Sequence, residues 1–499
     1  MSQNPDLTQS PRFDLIRPEW RRMARHGCRS RDNSQVNQPL TLSPLDGRYR
    51  ETVAPLLPYF TEFALNRARL YVEIEWLIAL TNGMSDIPGP LLPGAPTLDP
   101  LIVVRLRSIP DDFDDDDAAE LADIEAETKH DVKAVEYFLA KRLTEFAEIN
   151  PALIHFALTS EDINNVAYAL NVMGALRNVW LPAAEKLVSQ LSTLANDFAN
   201  IPMLARTHGQ AASPTTLGKE LAVFAYRLNR QLARISSVRP LAKFSGATGT
   251  FGAHQVAVPA VNWPAVAEQY VSEFDMEFNP LTTQIESHDW LVELFTSVVH
   301  FGRILHNLAT DMWTYISLGY FRQRASSSSV GSSTMPHKIN PIRFENAEAN
   351  LEISAALFEN MAATLVSSRL QRDLSDSSTL RNIGVAFGHS LLAIENLRKG
   401  LASVTPDTEA LAKDLDANWE VLAEPIQTVM RAAAIAGHPG LENPYERLKE
   451  FSKCRRLDKE IIAEFVRGLN LPHAEEERLL NLTPATYTGL AEQLAEQLQ

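Results

Sequence analysis

Cysteine is nearly absent from this chain: only Cys28 and Cys454 occur in 499 residues. Two cysteines argue against a disulfide framework or a cysteine-based zinc site, and the low thiol count suits a reducing compartment, the cytosol by default. No apolar run approaches the length of a membrane span. Long alternations of apolar and polar residues, the mark of half-buried strands, are scarce. Positive charge is also in deficit: the formal net charge of -16 argues against a general nucleic-acid binder, although a local basic cluster can still hold an anionic ligand. What is abundant is apolar material at helical spacing. Hydrophobic residues make up 45% of the chain, enough for large cores, and the length calls for two or three domains.

The first forty residues stand apart, with seven arginines between Arg12 and Arg31 and no regular apolar period. Acidic residues at positions 6, 14, 19 and 32 weaken a transit-peptide reading, so residues 1–40 are expected to be a disordered extension. Beyond them the pattern predicts a mainly α protein: an N-terminal helical domain over 41–150, a central bundle of long helices over 151–404 and a C-terminal helical domain over 405–499. Long helices with apolar residues on two sides need partners, which predicts self-association. A Pro/Gly-rich connection is expected to run through Pro110. The acidic cluster Asp111 to Asp117 lacks the spaced ligands and glycine of a calcium loop and reads as a solvated loop.

Several polar motifs interrupt the helical pattern. Ser43-Pro44-Leu45-Asp46-Gly47-Arg48-Tyr49 is a turn. Lys129-His130-Asp131 falls inside an amphipathic helix. In Thr159-Ser160-Glu161-Asp162, Ser160 is the expected cap of the following helix and Thr159 lies beside its N-terminus, where anions are favoured. That helix is punctuated at Pro182. His208, in Arg206-Thr207-His208-Gly209-Gln210, sits among residues unsuited to a core and has a side chain suited to proton transfer near neutral pH. Thr282-Thr283-Gln284-Ile285-Glu286 precedes another long helix. Arg372 and Arg381 frame the run Ser377-Ser378-Thr379-Leu380, a plausible phosphate clamp because guanidinium forks match phosphate oxygens. The glycines Gly246, Gly249 and Gly252 mark an irregular segment with neither a phosphate loop nor a dinucleotide fingerprint.

The most distinctive stretch is Gly331-Ser332-Ser333-Thr334-Met335-Pro336-His337-Lys338-Ile339-Asn340-Pro341. Four serines precede it, Ser326 to Ser329, and such a composition predicts a mobile loop. Asn340 and Pro341 then suit the N-cap and first position of a long helix, so that Lys338 is delivered to a positive helix end.

This stretch resembles the signature loop of the fumarase/aspartase superfamily, whose members release fumarate. Together with the motifs at 43–49, 130–137, 159–165, 206–210 and 282–286, the likeness narrows to the adenylosuccinate lyase family, its bacterial-type branch, from about residue 41 to the end. The resemblance implies β-elimination of fumarate from adenylosuccinate and from the succinyl-carboxamide intermediate SAICAR, with no cofactor or metal, by a homotetramer whose sites are shared among three subunits. It makes Ser332 the base and His208 the acid. Lys338 and Asn340 would stabilise the carbanion's carboxylate, and Thr159, Ser160, Gln284 and Ser333 would hold the succinyl group. Arg48, Tyr49, Arg372, Ser377, Ser378, Thr379, Leu380 and Arg381 would hold the phosphate, with Lys129, His130 and Asp131 near the substrate. Argininosuccinate lyase or fumarase is the alternative within the superfamily, though neither explains a phosphate clamp. A non-enzymatic helical relative is the alternative of another class, against which the retention of His208 and Ser332 speaks.

Overall fold

Helices carry most of the regular structure in the computed structural model, which describes residues 41–324, 335, 338–452 and 457–497. Strands among the described residues form four two-stranded pairs. The longest helices among the described residues are Glu62–Asn82, Leu217–Ser237, Asp289–Ser317, Ile342–Leu365 and Ile383–Ala402, of 21, 21, 29, 24 and 20 residues. At 1.5 Å per residue the longest extends about 44 Å. The expected mainly α class is what the chain adopts. The predicted extension over 1–40 lies outside the described residues.

The chain divides into two compact units. One comprises the described residues through Pro182, Ile235–Val299 and Ile353–Leu392. Its organising element is the helix α1, Glu62–Asn82, which is buried on every side from Ala64 to Thr81. Trp76 on α1 meets Phe244, Tyr270 and Trp263 at ring-centroid distances of 4.9, 5.2 and 6.4 Å, and the Tyr270 hydroxyl donates to the Val72 carbonyl at 2.6 Å. Unusually for a helix in a core, α1 also buries Arg67, Arg69, Glu73 and Glu75. Buried charges need partners, and several are evident. Arg107 grips Glu75 through two hydrogen bonds of 2.6 and 2.7 Å, Arg69 reaches Asp131, and His155 holds Glu73.

Two stretches expected to be irregular are helical. The helix α2, Pro100–Asp111, occupies the predicted connection; Pro100 suits its first position and the Asp99 side chain accepts from the Leu101 N–H at 2.8 Å. The acidic cluster opens α3, Asp115–Thr128, rather than a loop. The Asp114 carboxylate accepts from the backbone of Asp116 and Asp117, and the first turn holds three further aspartates where the helix dipole favours negative charge. Next come α4, Asp131–Leu143, and α5, Ser160–Ala175. Pro182 does not break the helical run after α5. A π-turn over Leu176–Trp180 precedes it, with the Leu181 N–H bonded to the Leu176 carbonyl, and such a turn absorbs the register change a proline imposes.

The second unit comprises Ala183–Arg234, His300–Glu352 and the described residues from Ala393 onward. It contains the hairpin β1, Pro202–Thr207, paired antiparallel with β2, Gln210–Thr216. Leu204 of β1 enters a core built from C-terminal residues, among them Trp419, Leu422, Ile426, Met430 and Val466.

The His155–Glu73 pair gives a test of this packing. His155 Nδ1 lies 2.6 Å from the fully buried Glu73 carboxylate, which also accepts from the His155 backbone at 3.2 Å. Burial pushes the imidazole pKa down, but the hydrogen bond and charge of Glu73 outweigh it and the net shift is upward. A raised histidine pKa contributes stability that is complete below the unfolded value of about 6.5 and is lost as pH rises through the folded value. Thermal melts should therefore place His155→Gln well below the wild type at pH 6, with the gap narrowing as pH rises above neutral; a gap independent of pH would refute the charged pair.

Candidate active site

The polar motifs in the first unit are joined by one hydrogen-bonded relay. Arg372 pairs with Glu161 at 2.8 Å, and Asn164 donates to the same Glu161 oxygen at 2.9 Å. The Asn164 carbonyl oxygen accepts from Arg69 Nε at 2.9 Å, and Arg69 Nη2 reaches Asp131 at 2.6 Å. Asp131 is shared with Arg381 at 3.3 Å, and Arg381 also meets Glu62 at 3.3 Å. Three segments far apart in sequence, around Asp131, Glu161 and Arg372–Arg381, are thus held together by α1. Burial raises the Asp131 pKa, but Arg69, the Val132 N–H and Arg381 outweigh it and hold the carboxyl below its ordinary value. Arg372 also donates to Ser377 Oγ at 3.3 Å, and Arg381 to the Ser377 carbonyl at 3.2 Å. Ser377, Ser378, Thr379 and Leu380 belong to the short helix α6, Ser375–Leu380; Leu380 is buried and Ser378 exposed.

Thr159 occupies the N-cap of α5, so Ser160 is the first helical residue rather than the cap. The Thr159 N–H is bound by the Asp162 carboxylate at 2.8 Å, which fixes the entry of the helix. Asp162 in turn is ion-paired with Lys243 at 2.8 Å, and neither side chain is exposed at all. Gln284 donates its backbone N–H to the Gln371 carbonyl at 3.3 Å and receives Lys243 Nζ on its own carbonyl at 2.9 Å. The motifs at 159–162, 282–286 and 371–381 are therefore neighbours.

Lys129-His130-Asp131 does not run inside one continuous helix but spans the break between α3 and α4, with Asp131 the first residue of α4. Lys129 has φ 53°, in the left-handed region, and terminates α3, whereas His130 is the N-cap of α4 and accepts the Lys133 N–H on Nδ1 at 3.2 Å. At the break Asp131 meets Arg69 at 2.6 Å. The Lys129 side chain is exposed. Arg48 is exposed, 5.8 Å from the Tyr49 ring, and makes no hydrogen bond to the relay among the described residues. Tyr49 packs against Leu45, Val53 and Leu392.

In the second unit His208 stands with Gly209 at the tip of the β1–β2 hairpin, where Thr207 pairs with Gln210. Both turn residues have positive φ, 53° and 77°, as a two-residue primed turn requires. Glycine takes this conformation freely; His208 is held in it and is exposed. Each strand is tied down. Arg206, two residues before His208, is bound to Asp414 at 2.6 Å, and Ser213 hydrogen-bonds Glu424. Tyr320 also donates to Asp414; burial and that carboxylate push its phenol up to about 12.

Ser332 and Ser333 lie outside the described residues. On their N-terminal side, strand β3, Phe321–Gln323, pairs antiparallel with β4, Val404–Pro406. On the other side Lys338 is exposed, Asn340 is half-buried, and the Gln323 side chain donates to the Ile339 carbonyl at 2.8 Å, so the two ends are stitched to each other. The following helix begins at Ile342, one residue later than expected, with Pro341 supplying the first accepting carbonyl.

Sequence reasoning passed over Arg69, Glu161, Asp162, Asn164 and Lys243. The charged residues of α1 within an otherwise apolar helix were the available signal for Arg69. For Lys243 there was none.

Comparison with known proteins places these features in context. Residues 47–352 match the family described as Lyase, and residues 368–488 match Adenylosuccinate lyase C-terminal. The adenylosuccinate lyase of Haemophilus influenzae is 43% identical over 468 residues, covering 93% of this chain and 100% of that protein. That of Legionella pneumophila is 45% identical over 457 residues, covering 91% and 98%. Among solved structures, a fumarate lyase from Mesorhizobium sp. BNC1 superposes with a TM-score of 0.69 at 18% identity, over 89% of this chain and 97% of that one, a likeness of fold.

The two arginines of the relay should respond differently to removal. Glu161 is 3% exposed, so Arg372→Ala leaves a buried carboxylate short of its cation and should cost about 3–5 kcal/mol. Arg381 and Glu62 are 39% and 63% exposed, and Arg381→Ala should cost no more than about 1 kcal/mol. Urea unfolding of the two variants checks this, and equal losses would contradict the relay.

Proposed function

The chain belongs to the adenylosuccinate lyase family, and from that premise we propose that it eliminates fumarate from adenylosuccinate, giving AMP, and from SAICAR, giving AICAR. The observation that carries the reading is near-complete coverage at 43% identity, supported by a hydrogen-bonded relay that joins Asp131, Glu161, Arg372 and Arg381. In the reaction a base removes a proton from the carbon beside a carboxylate. The electron pair becomes the new carbon–carbon double bond, the carbon–nitrogen bond breaks, and an acid protonates the departing nitrogen. Ser332 is the base and His208 the acid. Exposure of His208 on a tight turn leaves its ring accessible to a bound substrate. A serine needs local activation to act as a base, and Lys338, near in sequence, is the candidate cation.

Lys338 and Asn340 stabilise the charge that develops on the carboxylate. Thr159, Ser160, Gln284 and Ser333 hold the succinyl group; Arg372, Arg381 and the hydroxyls of Ser377 to Thr379, with Arg48 and Tyr49, hold the phosphate. His130 and Asp131 support the substrate between them, and Lys129 lies beside it. The reading also includes a cytosolic homotetramer with sites shared among subunits and a three-part chain divided near residues 150 and 404. Light scattering of the purified protein tests the oligomer.

The decisive assay is release of fumarate from adenylosuccinate beside argininosuccinate and malate; release from either of the latter alone would overturn the assignment. His208→Gln keeps some hydrogen bonding but cannot donate a proton in the same way, so turnover should fall about 10²-fold or more with binding better preserved. Ser332→Ala should abolish turnover while leaving the melting temperature and substrate affinity intact. Retained turnover in either variant would remove that residue from its role.

A further inference from the structure

Lys243 lies outside every motif singled out in the sequence, yet it is a fully buried and closely bonded cation of the first unit. Its side chain is fully buried, and its ammonium has three oxygens within reach: Asp162 Oδ1 at 2.8 Å, the Gly246 carbonyl at 2.9 Å and the Gln284 carbonyl at 2.9 Å. An ammonium has three N–H donors and no more, so this arrangement saturates it and fixes its position. The backbone of Lys243 is fastened as well: Asn165 Oδ1 accepts its N–H at 2.9 Å and Asn165 Nδ2 donates to its carbonyl at 3.0 Å.

What Lys243 holds is more telling than how it is held. Asp162 uses its second oxygen to bind the Thr159 N–H at 2.8 Å and the Gly246 N–H at 3.1 Å, while its first also takes the Ser245 N–H at 2.9 Å. One ion pair therefore sets the entry of α5 at Thr159 and Ser160, the Gly246 turn and the backbone of Gln284. Gly246 has φ +81°, which suits a glycine at the point where the chain bends around the ammonium.

We propose that Lys243 is a positioning residue for the succinyl end of the substrate, acting through Gln284 and, by way of Asp162, through Thr159 and Ser160. The proposal rests on the lyase reading above. Lys243 touches no substrate itself. It serves the two segments that grip the succinyl carboxylates and has no contact with Arg372 or Arg381. Loss of Lys243 loosens the Thr159–Ser160 and Gln284 end directly and reaches Arg372 only at second hand, through the Gln284 N–H on the Gln371 carbonyl and through Glu161, while Arg381 keeps its own partners Asp131 and Glu62.

That asymmetry is measurable with the wild-type enzyme, Lys243→Met and Lys243→Gln. Fumarate and AMP, each used as a product inhibitor, report the two ends separately. Lys243→Met should raise KM for adenylosuccinate and the fumarate inhibition constant by about 10-fold, the effect of one misplaced hydrogen-bonding contact, and change AMP inhibition by no more than about 2-fold. Lys243→Gln, which retains an N–H donor for one of the two carbonyls, should recover part of the loss. Equal weakening of fumarate and AMP, or of neither, overturns the proposal. So does failure of both variants to melt cooperatively, because Lys243 then serves the fold alone. A wild-type chain that releases no fumarate would instead refute the lyase reading, and this inference with it.

Discussion

Burying α1 on every side while it carries Arg67, Arg69, Glu73 and Glu75 is the constraint on which the first unit depends. An ion taken from water without a partner costs several kcal/mol, and a domain has only about 5–15 kcal/mol of net stability to lose. The counter-charges cannot be left to chance. Asp131, His155 and Arg107 each come from a different later segment and converge on this helix. In folding to satisfy α1, the chain also brings the Asp131 break, the approach to Thr159 and, through Asn164 and Glu161, the Arg372 segment to one place. The contacts that satisfy α1 are thus also the ones that bring the candidate-site segments together, and the buried members of the relay, such as Glu161 and Arg69, carry both tasks.

The helices were legible because their signal is local and repeated. Apolar residues at 3.6-residue spacing announce Ile342–Leu365 or Asp289–Ser317 without knowledge of what they pack against. The β1–β2 hairpin was not legible, although His208 was singled out on residue type. Its strands are rich in Ala and Ser and poor in β-branched and aromatic residues, and their burial follows contact with C-terminal residues rather than alternation. The His-Gly pair with positive φ at both positions was the one local clue. The acidic segment at 111–117 failed for a different reason: repeated aspartates look solvated, yet at a helix N-terminus they are caps and dipole partners.

The candidate site was legible as a set of motifs but not as a geometry. Types such as His208, Lys338 and the two arginines declare chemistry one residue at a time. Partnerships such as Asp162 with Lys243, or Arg69 with Asn164, span some eighty or more positions and have no periodic signature. A lysine in a stretch like Leu241-Ala242-Lys243-Phe244 reads as an ordinary surface residue until burial is known. What sequence cannot supply is the pairing that makes a buried charge tolerable, and that pairing separates residues that bind from residues that hold the binders in place.

The relay also bears on how an acidic protein would take an anionic substrate. Arg69, Arg372 and Arg381 face Asp131, Glu161 and Glu62, three positive charges against three negative, so the cluster is neutral as it stands. On the proposed function, a phosphate would compete with one of these carboxylates for a guanidinium. Glu161 is the wrong one, buried and short-bonded to Arg372. Glu62 is the right one: at 63% exposure it can return to water at little cost, and its 3.3 Å contact with Arg381 is of the exposed kind worth about 0–1 kcal/mol. Charge-assisted hydrogen bonds from a guanidinium to phosphate oxygens are shorter and stronger than such a contact. Arg381 can therefore exchange a weak partner for a strong one while Asp131 keeps it oriented, and Arg372 stays committed to Glu161 with part of its fork turned toward Ser377. On the proposed function the two clamp arginines are not equivalent: Arg381 would turn its charge to the phosphate by leaving Glu62, and Arg372 would reach it only with the part of its fork that Glu161 leaves.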